Sequence, residues 1–168
     1  MIEVRNGRLK VLEPGGRRRT LSLEEQRKKC HRFLEEATIP EEKLDLQRAL
    51  IQITADINPD EMEGLYGIKI VERKGERPEG ETCFSYTVGA DADVQEFLNN
   101  LFANYKKSET PQAGAYALYL RFGIIPCHIG IVTERGTVIS KWGPKTHVYE
   151  HEPKMAPLCY GEVIYYSP

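Results

Sequence analysis

Apolar and polar residues alternate across residues 2–13, with Ile2, Val4, Leu9 and Val11 on the apolar positions and Asn6-Gly7 between them. This pattern predicts a small β-hairpin. Pro14-Gly15-Gly16 breaks the chain, and Ser22-Leu23-Glu24-Glu25 is a capping box that opens a helix running to about Ala37. Pro40 suits the first turn of a second helix, in which Leu46, Ala49, Leu50, Ile53 and Ile57 recur at helical spacing until Asn58-Pro59 stops it. So short a connection predicts that the two helices pack antiparallel.

Residues 65–71 read as a strand, and the charged stretch 72–82, punctuated by Gly and Pro, reads as a linker. The predicted division is an N-terminal hairpin and helical pair over residues 1–75 and a second domain over residues 76–168. In the second domain a short helix begins at Cys83 and ends at Gly89. A longer one covers about residues 91–107 on a stripe of Val94, Leu98, Leu101, Phe102 and Tyr105. Beyond Gln112 the runs AYALYLRF, HIGIVTE, TVISKWG, HVYEHE and GEVIYYS all read as strands separated by Gly or Pro turns. Helices followed by an antiparallel meander make the predicted class α+β.

Composition narrows the function classes. A chain of 168 residues with 40% hydrophobic and 29% charged residues can bury a core, which excludes global disorder. The net charge of −2 gives no long-range attraction to phosphate. No nucleic-acid partner is expected: Arg17, Arg18 and Arg19, with Lys28 and Lys29, form the only compact basic group, and a solvated connector is the favoured reading of it. No run approaches the 18 apolar residues of a membrane span, and MIEVRNGRLK lacks the apolar core of a signal peptide, so a cytoplasmic protein without a membrane partner is expected. Cys30, Cys83, Cys127 and Cys159 are far apart and form no CxxC pair. Free thiols are expected, with neither a metal site nor a cofactor.

Candidate chemistry centres on Cys83. A thiol attacks as its thiolate, and a helix start beside an imidazole lowers the pKa that governs it. Thr82 is a suitable N-cap, which would aim free backbone amides at the sulfur. At 45 positions further on, His128 opens a strand of alternating small and β-branched residues, where Gly130 lets another group approach the backbone closely. After the Arg135-Gly136 turn, Ser140 falls on the adjacent antiparallel strand, where its hydroxyl can orient an imidazole.

From about Cys83 to Tyr166 the chain resembles the papain-like NlpC-type superfamily of cell-wall peptidases and CHAP amidases, closest to an uncharacterised branch. Cys83, the strand from Ala113 to Leu120, and His128-Ile129-Gly130-Ile131-Val132 follow in the family's order. The resemblance implies a papain-like helix and antiparallel sheet. It also implies a cysteine hydrolase in which Cys83 attacks an acyl carbon, His128 moves the proton and Ser140 holds the imidazole. The implied substrate is an amide or isopeptide bond in a peptide or peptidoglycan-like molecule. The chain departs from the family at three places: Thr82-Cys83-Phe84-Ser85 replaces Asp-Cys-Ser-Gly, Ala115 replaces the Asp after Gly114, and serine stands in the third position.

Other residues offer alternatives. His147, Glu150 and His151 match the HxxEH spacing of zinc peptidases, but Val148 and Tyr149 favour a strand, on which residues four apart lie too far apart for that motif. His147 is instead an alternative third member of the cysteine site. Trp142 is placed to cover the His128–Ser140 contact, and Cys127 and Cys159 read as core. The rival to the hydrolase is a catalytically inactive binding module that offers its N-terminal helical pair to a protein partner.

Overall fold

The structure, a computed structural model, describes Ile2–Arg5, Arg8–Val11 and residues 21–168. The Asn6-Gly7 turn and the Arg17, Arg18 and Arg19 run lie outside the described residues. The chain forms two compact units: Met1–Tyr66 with Met155–Tyr160, and Gly67–Lys154 with Gly161–Pro168.

In the first unit β1 (Ile2–Arg5) pairs antiparallel with β2 (Arg8–Val11), Ile2 opposite Val11 and Arg5 opposite Arg8. Helix α1 (Leu23–Glu36) starts on the reciprocal cap anticipated from sequence: the Glu25 amide donates to the Ser22 hydroxyl, and the Ser22 amide donates to the Glu25 carboxylate. Helix α2 (Pro40–Ile57) begins on proline, which lacks the amide that the first turn cannot satisfy, and ends at Asn58. The two helices meet through Cys30, Ala49, Leu50 and Ile53, and burial pushes the Cys30 thiol up to about 11.

Residues 62–66, partly read as a strand, instead form helix α3 (Met62–Tyr66). It continues a 3-10 turn over Pro59–Glu61, whose last carboxylate pairs with Arg27 at 2.7 Å and accepts from the Asn58 side-chain amide. Gly67, with φ +68°, breaks the helix before the next strand begins. Residues 155–160 belong with this unit because the buried Arg48 guanidinium donates to the carbonyls of Ala156 and Pro157 at 2.8 and 3.2 Å.

The second unit carries a seven-stranded sheet, antiparallel throughout, and two helices. Its strands are β3 (Lys69–Glu72), β4 (Lys106–Ser108), β5 (Tyr116–Arg121), β6 (Ile125–Val132), β7 (Val138–Lys141), β8 (Val148–His151) and β9 (Glu162–Ser167). Their spatial order is β3-β8-β7-β6-β5-β9-β4. Strands β5 to β8 are the expected meander, but β9 returns to the far side of β5 rather than extending it. Strand β3 lies in the stretch read as part of the N-terminal domain, yet its ladder with β8 makes it an edge of this sheet. Helix α4 (Cys83–Val88) ends at Gly89, whose φ is +109°. Helix α5 (Val94–Asn104) starts on Asp93, which accepts from the Glu96 amide at 2.9 Å. It ends three residues earlier than its apolar stripe suggested, because Lys106–Ser108 pair with β9 as edge strand β4. The apolar side chains of α5, Leu98 and Leu101, pack on Leu118, Leu120, Ile129 and Tyr166 of the sheet. Among the described residues no helix is long and apolar enough to cross a membrane.

Candidate active site

Cys83 is the first residue of α4, and Thr82 caps it through a reciprocal pair with Ser85. Helix α4 is held where β7 leaves its neighbour. The β6–β7 ladder covers only Ile131 and Val132 of β6, and α4 meets the backbone just beyond it. There the Thr87 hydroxyl donates to the Ile129 carbonyl at 3.5 Å, and the Ile129 amide lies against the Cys83 thiol. Cys83 thereby packs on the cluster that contains Leu118, Leu120 and Ile129.

Its surroundings act on the thiol in opposite directions. The amides of Ile129, Phe84 and Cys83 itself favour the thiolate, as a helix start should, but burial outweighs them and raises the thiol above its ordinary range. The sequence reading anticipated the opposite shift.

His128 lies on the other side of the sheet. It is opposite Tyr119 in the β5–β6 ladder, while Leu118 is opposite Ile129. Successive residues of a strand face opposite sides, so the Ile129 and His128 side chains do not share one. The His128 ring sits 5.3 Å from that of Tyr119 and is 0% exposed. Burial holds its pKa well below the ordinary imidazole value, and the neighbouring His151 lowers it further.

Ser140 does lie on a strand paired with that of His128, and it does hold an imidazole, but the imidazole is that of His151. The Ser140 hydroxyl and His151 Nε2 are 3.0 Å apart, and His151 Nδ1 is 2.8 Å from the Glu152 carbonyl. A carbonyl only accepts, so Nδ1 carries the proton and Nε2 takes the one from the serine. The indole N–H of Trp142 donates to the same Ser140 oxygen at 3.1 Å, and its ring lies edge-on to His151. Trp142 thus covers the Ser140–His151 contact rather than a Ser140–His128 one. All four of these side chains, His128 included, are buried. His147 Nδ1 accepts from the Lys74 amide at 2.8 Å, and its ring lies edge-on to that of Tyr149.

His151 had been weighed only as half of a zinc motif. The signal that could have placed it was strand periodicity, which sets Tyr149 and His151 on one face of β8 with Ser140 opposite Tyr149. Among the described residues no group of three or more His, Cys, Asp or Glu side chains is placed to hold a metal ion. Gly130, read as an opening to the backbone, is occupied by β7: a Cβ there would fall 2.6 Å from the Ile139 carbonyl oxygen and 2.8 Å from Ser140 Cβ.

A second feature stands out on the same hairpin. At the β5–β6 turn Phe122 has φ +55° and Gly123 φ +72°, and the Ile124 amide donates to the Arg121 carbonyl at 3.3 Å. Phe122 is 83% exposed, Ile124 77% and Ile125 48%. The β9 ladder stops at Leu120, and the β7 ladder reaches no further along β6 than Ile131, so the tip projects past both neighbours.

Comparison with family models, with curated proteins and with solved structures returns no match.

Proposed function

We propose that the chain is a non-hydrolytic binding module on a papain-like α+β frame, and that the β5–β6 tip is its contact surface for an apolar pocket on a protein partner. The observation that carries this reading is Phe122, a bulky residue in the left-handed region with 83% of its surface in water. Such a backbone costs a non-glycine residue about 1 to 2 kcal/mol, and Phe122 recovers little of that by packing within its own chain. A side chain that strains its own turn and is left in solvent beside Ile124 and Ile125 has its use outside the fold. Around the tip the charges are of both signs, with Arg121 on the hairpin and Glu162 opposite Leu120 on β9. A mixed rim suits a protein pocket better than an anionic lipid surface, which attracts clustered cations. The N-terminal helical pair is the weaker partner surface, since Cys30, Ala49, Leu50 and Ile53 are spent on its own core.

The hydrolase reading asks for a thiol readily ionised, and the burial that raises the Cys83 thiol supports the non-hydrolytic reading instead. Replacing Phe122 with glycine tests the proposal on two counts. The variant should unfold at higher urea, by about 1 kcal/mol, because glycine accepts the positive φ without strain. A photo-crosslinker at position 124 should capture a protein partner that is lost on Phe122→Gly, with no binding to phosphatidylserine or phosphatidylcholine vesicles. A destabilised Phe122→Gly protein, or vesicle binding by the native chain, would overturn the reading.

A further inference from the structure

Residues 73–82 join β3 to α4, and hydrogen bonds pin this linker near both ends. Toward α4, Arg77 grips the Glu81 carboxylate with two bonds of 2.7 and 3.0 Å, stands 3.4 Å from Glu72 and lies over the Tyr86 ring. Toward β3, a turn at residues 73–76 closes on itself: the Glu76 amide donates to the Arg73 carbonyl and the Arg73 amide to the Glu76 carboxylate. That turn is also tied to the residue that precedes β8, since the Lys74 amide donates to His147 Nδ1 at 2.8 Å. A backbone amide only donates, so Nδ1 carries no proton and the ring is neutral with its proton on Nε2. A second proton goes to Nδ1, where it points at the amide hydrogen. The bond therefore belongs to the neutral ring alone.

We propose that His147 is a pH-sensitive latch: as neutral imidazole it holds the turn at residues 73–76, and on protonation it releases that turn while Arg77 keeps the rest of the linker in place. The charged side chains of the segments that meet there are Glu72, Arg73 and Lys74 on the linker side and Lys145 before β8, and Tyr149 is the titratable neighbour on β8. Three of these charges are positive and disfavour another, and the Glu72 carboxylate is engaged by the Tyr86 hydroxyl and Arg77. Hydrogen bonds from Arg77 hold the Glu81 carboxyl below the usual carboxylate range, so that pair outlasts the latch as the pH falls. The latch is closed well above the ordinary imidazole value of about 6.5 and open well below it. Its release lets the turn move about Gly75, whose φ is +98°, and leaves the β3–β8 ladder intact. The proposal needs neither a partner nor the Phe122 tip, so it stands apart from the binding reading.

The test follows amide hydrogen exchange of the folded full chain by NMR at about pH 7.5 and about pH 5, each rate taken against that of an unstructured peptide at the same pH. Protection of the Lys74 amide should fall about fivefold in acid, the worth of one exposed hydrogen bond, while the amides of β5 keep theirs. His147→Asn offers a side-chain oxygen near the place of Nδ1 but does not titrate, and His147→Ala offers no acceptor. In both variants the Lys74 protection should be the same at the two pH values, and in His147→Ala it should be low at each. Unchanged protection in the native chain, a fall in acid that survives in both variants, or a loss shared by the β5 amides would overturn the proposal.

Discussion

One face of the seven-stranded sheet is apolar, roofed by α4 and α5, and carries the Cys83 thiol among Leu118, Leu120 and Ile129. The other carries Tyr119, His128, Ser140, Trp142 and His151, a buried polar and aromatic layer in which Trp142, Ser140, His151 and the Glu152 carbonyl form a continuous hydrogen-bonded chain. The two differ in how they resist change. The first is held by packing, so its losses scale with the volume removed; the second is held by donors and acceptors with few replacements, so a small deletion leaves costly orphans. One step along β6, from Ile129 to His128, separates the two regimes.

The largest expected effect is at the point where backbone and backbone already touch. Gly130→Ala should cost about 3 kcal/mol in urea unfolding, because its methyl group meets the rigid Ile139 carbonyl as well as the Val138 and Ser140 side chains. A near-neutral result would mean that β7 does not lie against the His128 side of β6. Ser140→Ala should cost about 2 kcal/mol, since it strips a partner from both the Trp142 indole and the His151 ring in a buried site. Cys83→Ala on the opposite face removes one partly exposed sulfur and should cost only about 1 kcal/mol. If the order of these two were reversed, the polar layer would not be the more fragile side.

Acid should separate the faces as well. The folded His128 has a depressed pKa, so between that value and the ordinary imidazole value, about 6.5, the unfolded chain binds a proton that the folded chain refuses. Its contribution to stability is therefore complete above about pH 6.5 and is lost as the pH falls below it. His128→Gln should flatten that acid slope, measured as the urea midpoint against pH, while Cys83→Ala should leave it unchanged. An acid slope that survived His128→Gln would locate the titration elsewhere.

The local grammar of this chain was largely readable. The capping box at Ser22, the N-cap at Thr82, the proline start at Pro40 and the glycine stop at Gly89 act over four residues or fewer, and each marks its helix as anticipated. The hairpin strands and the strand character of HVYEH followed from alternation in the same way. Non-local pairings were not readable: Lys69–Glu72 falls largely within the stretch read as a strand, but its place at the edge beside β8 was not announced, and Lys106–Ser108, taken partly as helix, becomes an edge strand through β9. Of the candidate site, the helix start at Cys83 and the strand position of His128 were legible, but the His151 partner of Ser140 was not, because it comes from β8, whose register with β7 no spacing within either segment encodes.

Alkylation of Cys83 by iodoacetamide across a pH series, in the native chain and in His128→Gln, tests most directly whether the His128 imidazole acts on the thiol. The rate should climb with pH, without a plateau below the ordinary thiol range near pH 8.5, and should follow the same curve in both proteins. Labelling that is already fast and pH-independent below about pH 7, and that slows when His128 is replaced, would put the imidazole beside the thiol and contradict the account.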